Sequence, residues 1–155
     1  MSEPDARTWY WEKTWSDFRS GTTRVRLVYE GGAATATLYD QGAPRTVAEV
    51  LAHLPFEIPI VHVAWSGDMV MSTRAYTFDA PQMENAVHLP RPGDLGWDPK
   101  FGELTVTYGT AQCRLPSGDN TLVIFGQVGE GLEGLADWCR ARRFEGAGVI
   151  RLDRA

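Results

Sequence analysis

The segment from Gly32 to Leu54 constrains the fold of this chain more than any other stretch. Alternating apolar and polar residues from Thr23 to Glu30 predict a half-buried strand that leads into it. Gly31-Gly32 is typical of a hairpin turn, because glycine reaches positive φ at little cost. A second strand is predicted from Ala33 to Tyr39. The segment therefore begins as one arm of an antiparallel hairpin.

A helix follows the hairpin. Thr46 and Glu49 have the spacing of a capping box, in which each side chain bonds the other's backbone N–H. The next apolar residues recur on one face up to Leu54, and Pro55 ends the helix. Local patterns alone thus predict the order strand, turn, strand, helix.

The rest of the chain predicts many short strands and one more helix. The predicted strands are Ile58 to Trp65, Met69 to Thr73, Asp94 to Trp97, a run through Tyr108 broken at Gly109, Ala111 to Leu115, Asn120 to Val128 and Gly146 to Leu152. Residues 74–92 read as a long surface loop, and residues 129–143 as a helix with Arg142 and Arg143 in its last turn. Many short antiparallel strands favour a closed barrel or a sandwich.

Part of this pattern resembles the beginning of a cyclophilin. The matching residues are Leu38-Tyr39-Asp40, Ala43-Pro44-Arg45-Thr46-Val47 and Leu51. The resemblance implies a mostly β fold: a closed antiparallel cyclophilin-like β-barrel with two capping helices. We expect this domain to span residues 22–155, after a Trp-rich N-terminal arm of residues 1–21.

A wider resemblance is to a bacterial family of cyclophilin-like proteins called domain of unknown function 3830. It covers nearly all of residues 22–152. Its matching features are Leu54-Pro55-Phe56, His62 with Trp65-Ser66-Gly67, Pro92-Gly93-Asp94, Tyr108-Gly109, Gly118 with Asn120, Glu130-Gly131-Leu132 and Glu145-Gly146. This resemblance implies the fold and leaves the activity open.

Composition excludes several classes of protein. The net charge of −5 argues against a nucleic-acid partner, which needs a clustered basic face. No apolar run approaches the roughly 18 residues of a membrane span, and the first residues lack the pattern of a signal peptide. Two cysteines without metal-type spacing are typical of free thiols in a reducing compartment. We therefore expect a cytoplasmic protein with no membrane or nucleic-acid partner.

Motifs for known chemistry are weak. Cyclophilin catalysis uses an arginine beside a Phe-Met-x-Gln-Gly-Gly-Asp run. That run is absent here, and Arg74, the nearest arginine, lies outside any matching motif. Residues 129–134 fit G-x-G-x-x-G, but Glu130 and Glu133 would oppose a pyrophosphate at the helix N-terminus. His53, His62 and His88 lack metal-ligand spacing. No cofactor and no metal are expected.

Three hypotheses about function remain. The first is a binding protein for a small molecule or peptide, without proline isomerase activity, whose pocket draws on aromatic and polar side chains of the barrel strands. The candidate ligand-binding residues are His62, Trp65, Trp97, Glu103, Tyr108 and Asn120. The second is an enzyme that uses His62 as a general base near Glu103 or Asn120. The third is a homo-oligomeric assembly module whose contact is the Trp-rich arm.

Overall fold

The computed structural model describes residues 19–155 and shows a barrel of antiparallel strands with two helices. The strands are β1 (Thr23–Tyr29), β2 (Gly32–Leu38), β3 (Phe56–His62), β4 (Gly67–Ser72), β5 (Ala86–Val87), β6 (Asp94–Asp98), β7 (Glu103–Ala111), β8 (Arg114–Leu115), β9 (Gly118–Asp119), β10 (Leu122–Val128) and β11 (Gly148–Arg154). The helices are α1 (Pro44–His53) and α2 (Leu132–Glu145). Among the described residues, no helix is long and apolar enough to cross a membrane.

The main sheet closes on itself. Its order is β2-β1-β11-β3-β4-β7-β6-β10-β5, and an additional pairing of β2 with β10 completes an eight-stranded barrel. Every strand pairing among the described residues is antiparallel, from the β1–β2 hairpin to the β2–β10 closure. The predicted cyclophilin-like barrel with two helices is therefore confirmed.

The barrel interior is filled. Alternate residues of the strands, such as Leu27, Val70 and Ile150, are fully buried and fill the inside of the barrel. Only about 20 Å³ of empty space remains inside, which is less than a small ligand needs. A ligand site must therefore lie on the outside of the barrel or at its ends.

The start of α1 differs from the prediction. Thr46 and Glu49 do not form a capping box, and the residue before the helix, Ala43, makes no side-chain cap. Instead the Glu84 carboxylate accepts hydrogen bonds from the Thr46 amide at 2.8 Å and from its hydroxyl at 2.7 Å. A carboxylate suits the positive end of a helix, and here it comes from a loop 38 residues away. No local spacing rule can detect such a partner.

Several predicted boundaries also need correction. Gly109 does not break its strand, because β7 continues to Ala111, and the short strand β8 pairs with β9 instead of β7. The strand predicted to reach Trp65 ends at His62, so Trp65 lies in a turn. The second helix is displaced by two to three residues from the predicted range of 129–143.

Candidate functional site

A cavity of about 230 Å³ lies on the outer face of β4, β6 and β7. In the sheet register Met71 pairs with Thr105, and Thr105 pairs with Gly96. These three positions therefore lie on one face of the sheet. The intervening Val70 and Val106 pair on the opposite face and enter the core. The cavity is lined by Val63, Trp65, Ser66, Met69, Met71, Asp98, Phe101, Glu103, Thr105, Cys113, Arg114, Leu115, Pro116, Asn120 and Leu122.

Two aromatic side chains are exposed at this cavity. Trp65 is 48% exposed and Phe101 is 50% exposed, although both belong to its lining. Large aromatic side chains at the edge of a concave site are typical of binding surfaces, because they offer apolar area at a small cost in conformational entropy. The cavity thus has an apolar border that solvent and ligands can reach.

Two carboxylates lie side by side on the cavity wall. Asp98 and Glu103 are direct partners in the pairing of β6 with β7. Asp98 is buried, accepts a hydrogen bond from Asn120 Nδ2 at 2.8 Å, and lies 3.2 Å from Lys100 Nζ. Within residues 19–155, no cation lies within ion-pair distance of Glu103. Burial and, secondly, the negative charge of Asp98 raise the pKa of the Glu103 carboxyl.

One polar group in the cavity lacks a partner. Thr105 is 6% exposed, and its Oγ1 has no hydrogen-bond partner among the described residues. A Cβ at Gly96 would lie only 2.5 Å from this oxygen, so glycine leaves the space that the hydroxyl occupies. A buried hydroxyl without a partner lowers the stability of the fold by about 1–3 kcal/mol. A hydrogen bond to a ligand or a water molecule would remove this cost.

The cysteines are poor candidates for nucleophilic chemistry. Cys113 belongs to the cavity lining and Cys139 lies on α2, and both thiols are free and buried. Burial is the main cause that raises the pKa of each thiol to about 12. The thiol form therefore dominates at neutral pH, and Cys113 contributes an apolar surface to the cavity.

His62 and Tyr108 lie away from this cavity, on the core-facing side of the sheet beside α2. The His62 Nδ1 is 2.8 Å from the Val63 carbonyl oxygen, so Nδ1 carries the hydrogen of the neutral ring. Its Nε2 then accepts from the Tyr108 hydroxyl at 2.7 Å and from Arg143 Nε at 3.1 Å. Burial, and to a smaller extent Arg143, lower the pKa of His62. Both ring nitrogens of His62 thus have hydrogen-bond partners among the described residues.

The six predicted site residues fall in three places. Trp65, Glu103 and Asn120 line the outer cavity, whereas His62 and Tyr108 contact each other beside α2. Trp97 belongs to the core, where its indole N–H donates to the Tyr76 carbonyl and its ring packs on Phe78. A single pocket containing all six residues, as the first hypothesis assumed, is not present in the described part of the chain.

Sequence reasoning missed the floor of the cavity. Met69, Met71 and Thr105 were not among the candidates, yet all three line it. The alternation in Met69-Val70-Met71 and Thr105-Val106-Thr107 was a signal, because it places thioethers and hydroxyls on one face of each strand. Strand neighbours were needed to show that these faces adjoin.

Replacement of Glu103 by glutamine is expected to raise the melting temperature at pH 7. The folded state binds the Glu103 proton more tightly than the unfolded state does, because the pKa of this group is raised on folding. The stabilising contribution is therefore complete below about pH 4 and is lost as pH rises through the folded-state pKa. Thermal unfolding across this range should show an advantage of E103Q at neutral pH that disappears in acid.

The control for this experiment is Glu30→Gln, which changes an exposed carboxylate at the β1–β2 turn. Its melting curve should follow the wild type at every pH. An E103Q protein that melts below the wild type at pH 7 would show that the Glu103 charge stabilises the fold, which is the opposite of the expected effect.

Comparisons with known proteins agree with this architecture. McbB, in a structure of its complex with tryptophan, superimposes with a TM-score of 0.66 at 20% identity over 84% of this chain. The match spans 44% of the McbB chain, so this chain covers less than half of that protein. A cyclophilin-type peptidyl-prolyl cis-trans isomerase of Cryptosporidium parvum superimposes with a TM-score of 0.59 at 16% identity, over 86% of this chain and 97% of its own.

The hypothetical protein AF2241 of Archaeoglobus fulgidus gives a TM-score of 0.54 at 18% identity, over 88% of this chain and 98% of its own. At these identities the likenesses show a shared fold alone. No curated protein matches the sequence. Residues 25–154 match the family described as protein of unknown function DUF3830, which is nearly the whole of the described structure. The chain therefore belongs to the DUF3830 family, whose fold here is cyclophilin-like.

Proposed function

We propose that this chain binds a small molecule or a short peptide in the outer cavity and lacks proline isomerase activity. The cavity itself carries the proposal: it is open, it is bordered by exposed Trp65 and Phe101, and its lining includes Thr105, whose buried hydroxyl has no partner among the described residues. Apolar walls with a few convergent polar groups are the usual form of a ligand site. The McbB complex with tryptophan adds that a protein containing this fold can bind an amino acid of that size.

The absence of isomerase activity is proposed from the residues at the cavity. Arg114 is the arginine of its lining, and it lies in Gln112-Cys113-Arg114-Leu115, which does not match the cyclophilin run. Arg74 is exposed in the loop after β4 and does not belong to the lining. A proline-containing reporter peptide should therefore isomerise at its uncatalysed rate in the presence of the protein.

The enzyme hypothesis is less favoured by the geometry. A general base needs a free lone pair, whereas the His62 Nε2 already accepts from Tyr108 and Arg143. Glu103 and Asn120 line the outer cavity, whereas His62 does not, so they do not form one site with it. The assembly hypothesis concerns an arm that lies, for residues 1–18, outside the described part of the structure.

A thermal-shift screen against cytoplasmic metabolites and short peptides tests the binding proposal, because a ligand specific for the folded state raises the melting temperature. Met71→Trp should fill the cavity and abolish the shift, since Met71 lines it and is only partly buried. Met83→Trp is the matched control, because Met83 is exposed away from the cavity. A hit that stabilises M71W and M83W equally would place its site elsewhere.

A further inference from the structure

We infer that the ligand carries a protonated amine, which Glu103 and Thr105 bind together while its apolar part lies against Met69 and Met71. This inference rests on the proposed function, since it concerns the same cavity. Nothing in the fold alone requires a cation there. A cation is favoured there because the cavity contains one carboxylate whose charge the described residues do not compensate.

The charges of the cavity wall leave one carboxylate uncompensated. Asp98 is satisfied by Asn120 Nδ2, by the Lys100 backbone N–H at 2.9 Å and by Lys100 Nζ. Glu103 lies beside it, and within residues 19–155 it makes no ion pair. Arg114 adds a positive charge to the lining, but its side chain is exposed. Solvent therefore screens the charge of Arg114 more strongly than the charge of the half-buried Glu103. The wall therefore favours a cationic group near Glu103.

The buried hydroxyl of Thr105 is an independent observation, because it has no partner among the described residues and a rotation of its side chain away from Gly96 would turn it toward the cavity. Thr105 is two residues beyond Glu103 on β7, so both side chains project from the same face of the sheet. A protonated amine has three N–H donors, which a carboxylate and a hydroxyl oxygen can accept at once. The Glu103 carboxylate and the Thr105 hydroxyl oxygen thus offer acceptors that match the N–H donors of an ammonium group.

The rest of the lining fits an apolar body attached to the amine. Met69 and Met71 present thioethers beside Thr105 and Thr107 in the sheet register, and Trp65 lies at the border. Thioethers adapt to aromatic and aliphatic groups, and the face of an indole attracts cations. An arylalkylamine, or a short peptide with a basic side chain, has this combination of groups.

Binding is measured by NMR on protein labelled at the methionine methyl groups. The chain has four methionines, of which Met69 and Met71 report on the cavity and exposed Met83 serves as an internal control. The probes are phenethylamine, 2-phenylethanol and 3-phenylpropanoate, which share a ring and differ in the charge at the chain end. At pH 7 and millimolar concentrations, phenethylamine should shift the Met69 and Met71 signals and leave Met83 unchanged. Its affinity should exceed that of the alcohol by about tenfold or more, as expected for a charge-assisted hydrogen bond.

Variants assign this preference to individual groups. Glu103→Gln should weaken phenethylamine binding by about tenfold or more and leave the alcohol unaffected. Thr105→Val should also weaken amine binding. Thr107→Val should not, although the Thr107 hydroxyl is likewise buried without a described partner, because Thr107 does not line the cavity. Both valine variants should fold, since they remove an unsatisfied group without changing its shape.

The outcomes separate this inference from the proposed function. If the alcohol or the carboxylate shifts Met69 and Met71 as strongly as the amine does, or if E103Q retains the preference for the amine, the inference is wrong and the binding cavity stands. If none of the three probes shifts either signal at millimolar concentration, the inference is wrong, and the thermal-shift screen with M71W and M83W decides on the proposed cavity by itself.

Discussion

Replacement of Arg19 by methionine is expected to lower the free energy of unfolding by about 3–5 kcal/mol, the usual loss when one partner of a buried ion pair is removed. Asp94 is fully buried, and Arg19 donates to its two oxygens at 2.6 and 2.8 Å. The Arg91 backbone N–H donates to the same carboxylate at 2.8 Å. Without Arg19 the Asp94 charge stays buried with too little compensation. Urea unfolding would measure the loss.

Arg24→Met is the matched control, because Arg24 makes an exposed ion pair with Glu130 at 3.9 Å. Such pairs contribute about 0–1 kcal/mol, so this variant should unfold almost like the wild type. Adding Asp94→Asn to the R19M protein should recover part of the loss by removing the buried charge. Equal destabilisation by R19M and R24M would show that the Arg19–Asp94 pair is not a major contribution to stability.

The second large effect is expected at α2. Leu135→Ala should lower the free energy of unfolding by about 2–5 kcal/mol, because it removes a fully buried side chain and leaves a cavity. Leu135 and Cys139 are the two buried residues of this helix, so they contribute much of its apolar contact with the barrel. Urea unfolding measures the change in stability, and hydrogen exchange of α2 amides tests whether the helix detaches first.

Phe144→Ala is the corresponding control on the same helix. Its side chain is 87% exposed, so its truncation should change stability by no more than about 0.5 kcal/mol. The two substitutions remove apolar groups from one helix and differ in burial. If F144A were as destabilising as L135A, the exposed ring of Phe144 would be part of an interface instead of a solvated surface.

Much of the fold was predictable from local patterns. The β1–β2 hairpin follows from alternation on both sides of Gly31-Gly32, and Gly31 indeed has a φ of 95°. The apolar face of α1, with Val47 and Val50 buried, follows from helical spacing. These features depend on neighbours in the sequence, so a sequence pattern records them directly.

The cavity was predictable only in part. Trp65, Glu103 and Asn120 were candidates because of their residue types, and the structure places them around one space. His62 was also a candidate, since an imidazole in an apolar strand needs partners, and its partners are Val63, Tyr108 and Arg143. The prediction could not separate these two locations, because the face that a residue occupies depends on where the strand twists and ends.

The stretch from Thr23 to Leu54 determined by itself a hairpin followed by a helix, because its turn glycines, alternation and apolar spacing act over a few residues. Closure of β2 onto β10, the Glu84 carboxylate at the start of α1 and the pairing of Asp98 with Glu103 were decided only in the tertiary structure. Each joins groups that lie far apart in the chain or are oriented by strand register. A candidate ligand site needs several such groups together, so the sequence defines the scaffold and the packed barrel defines the site.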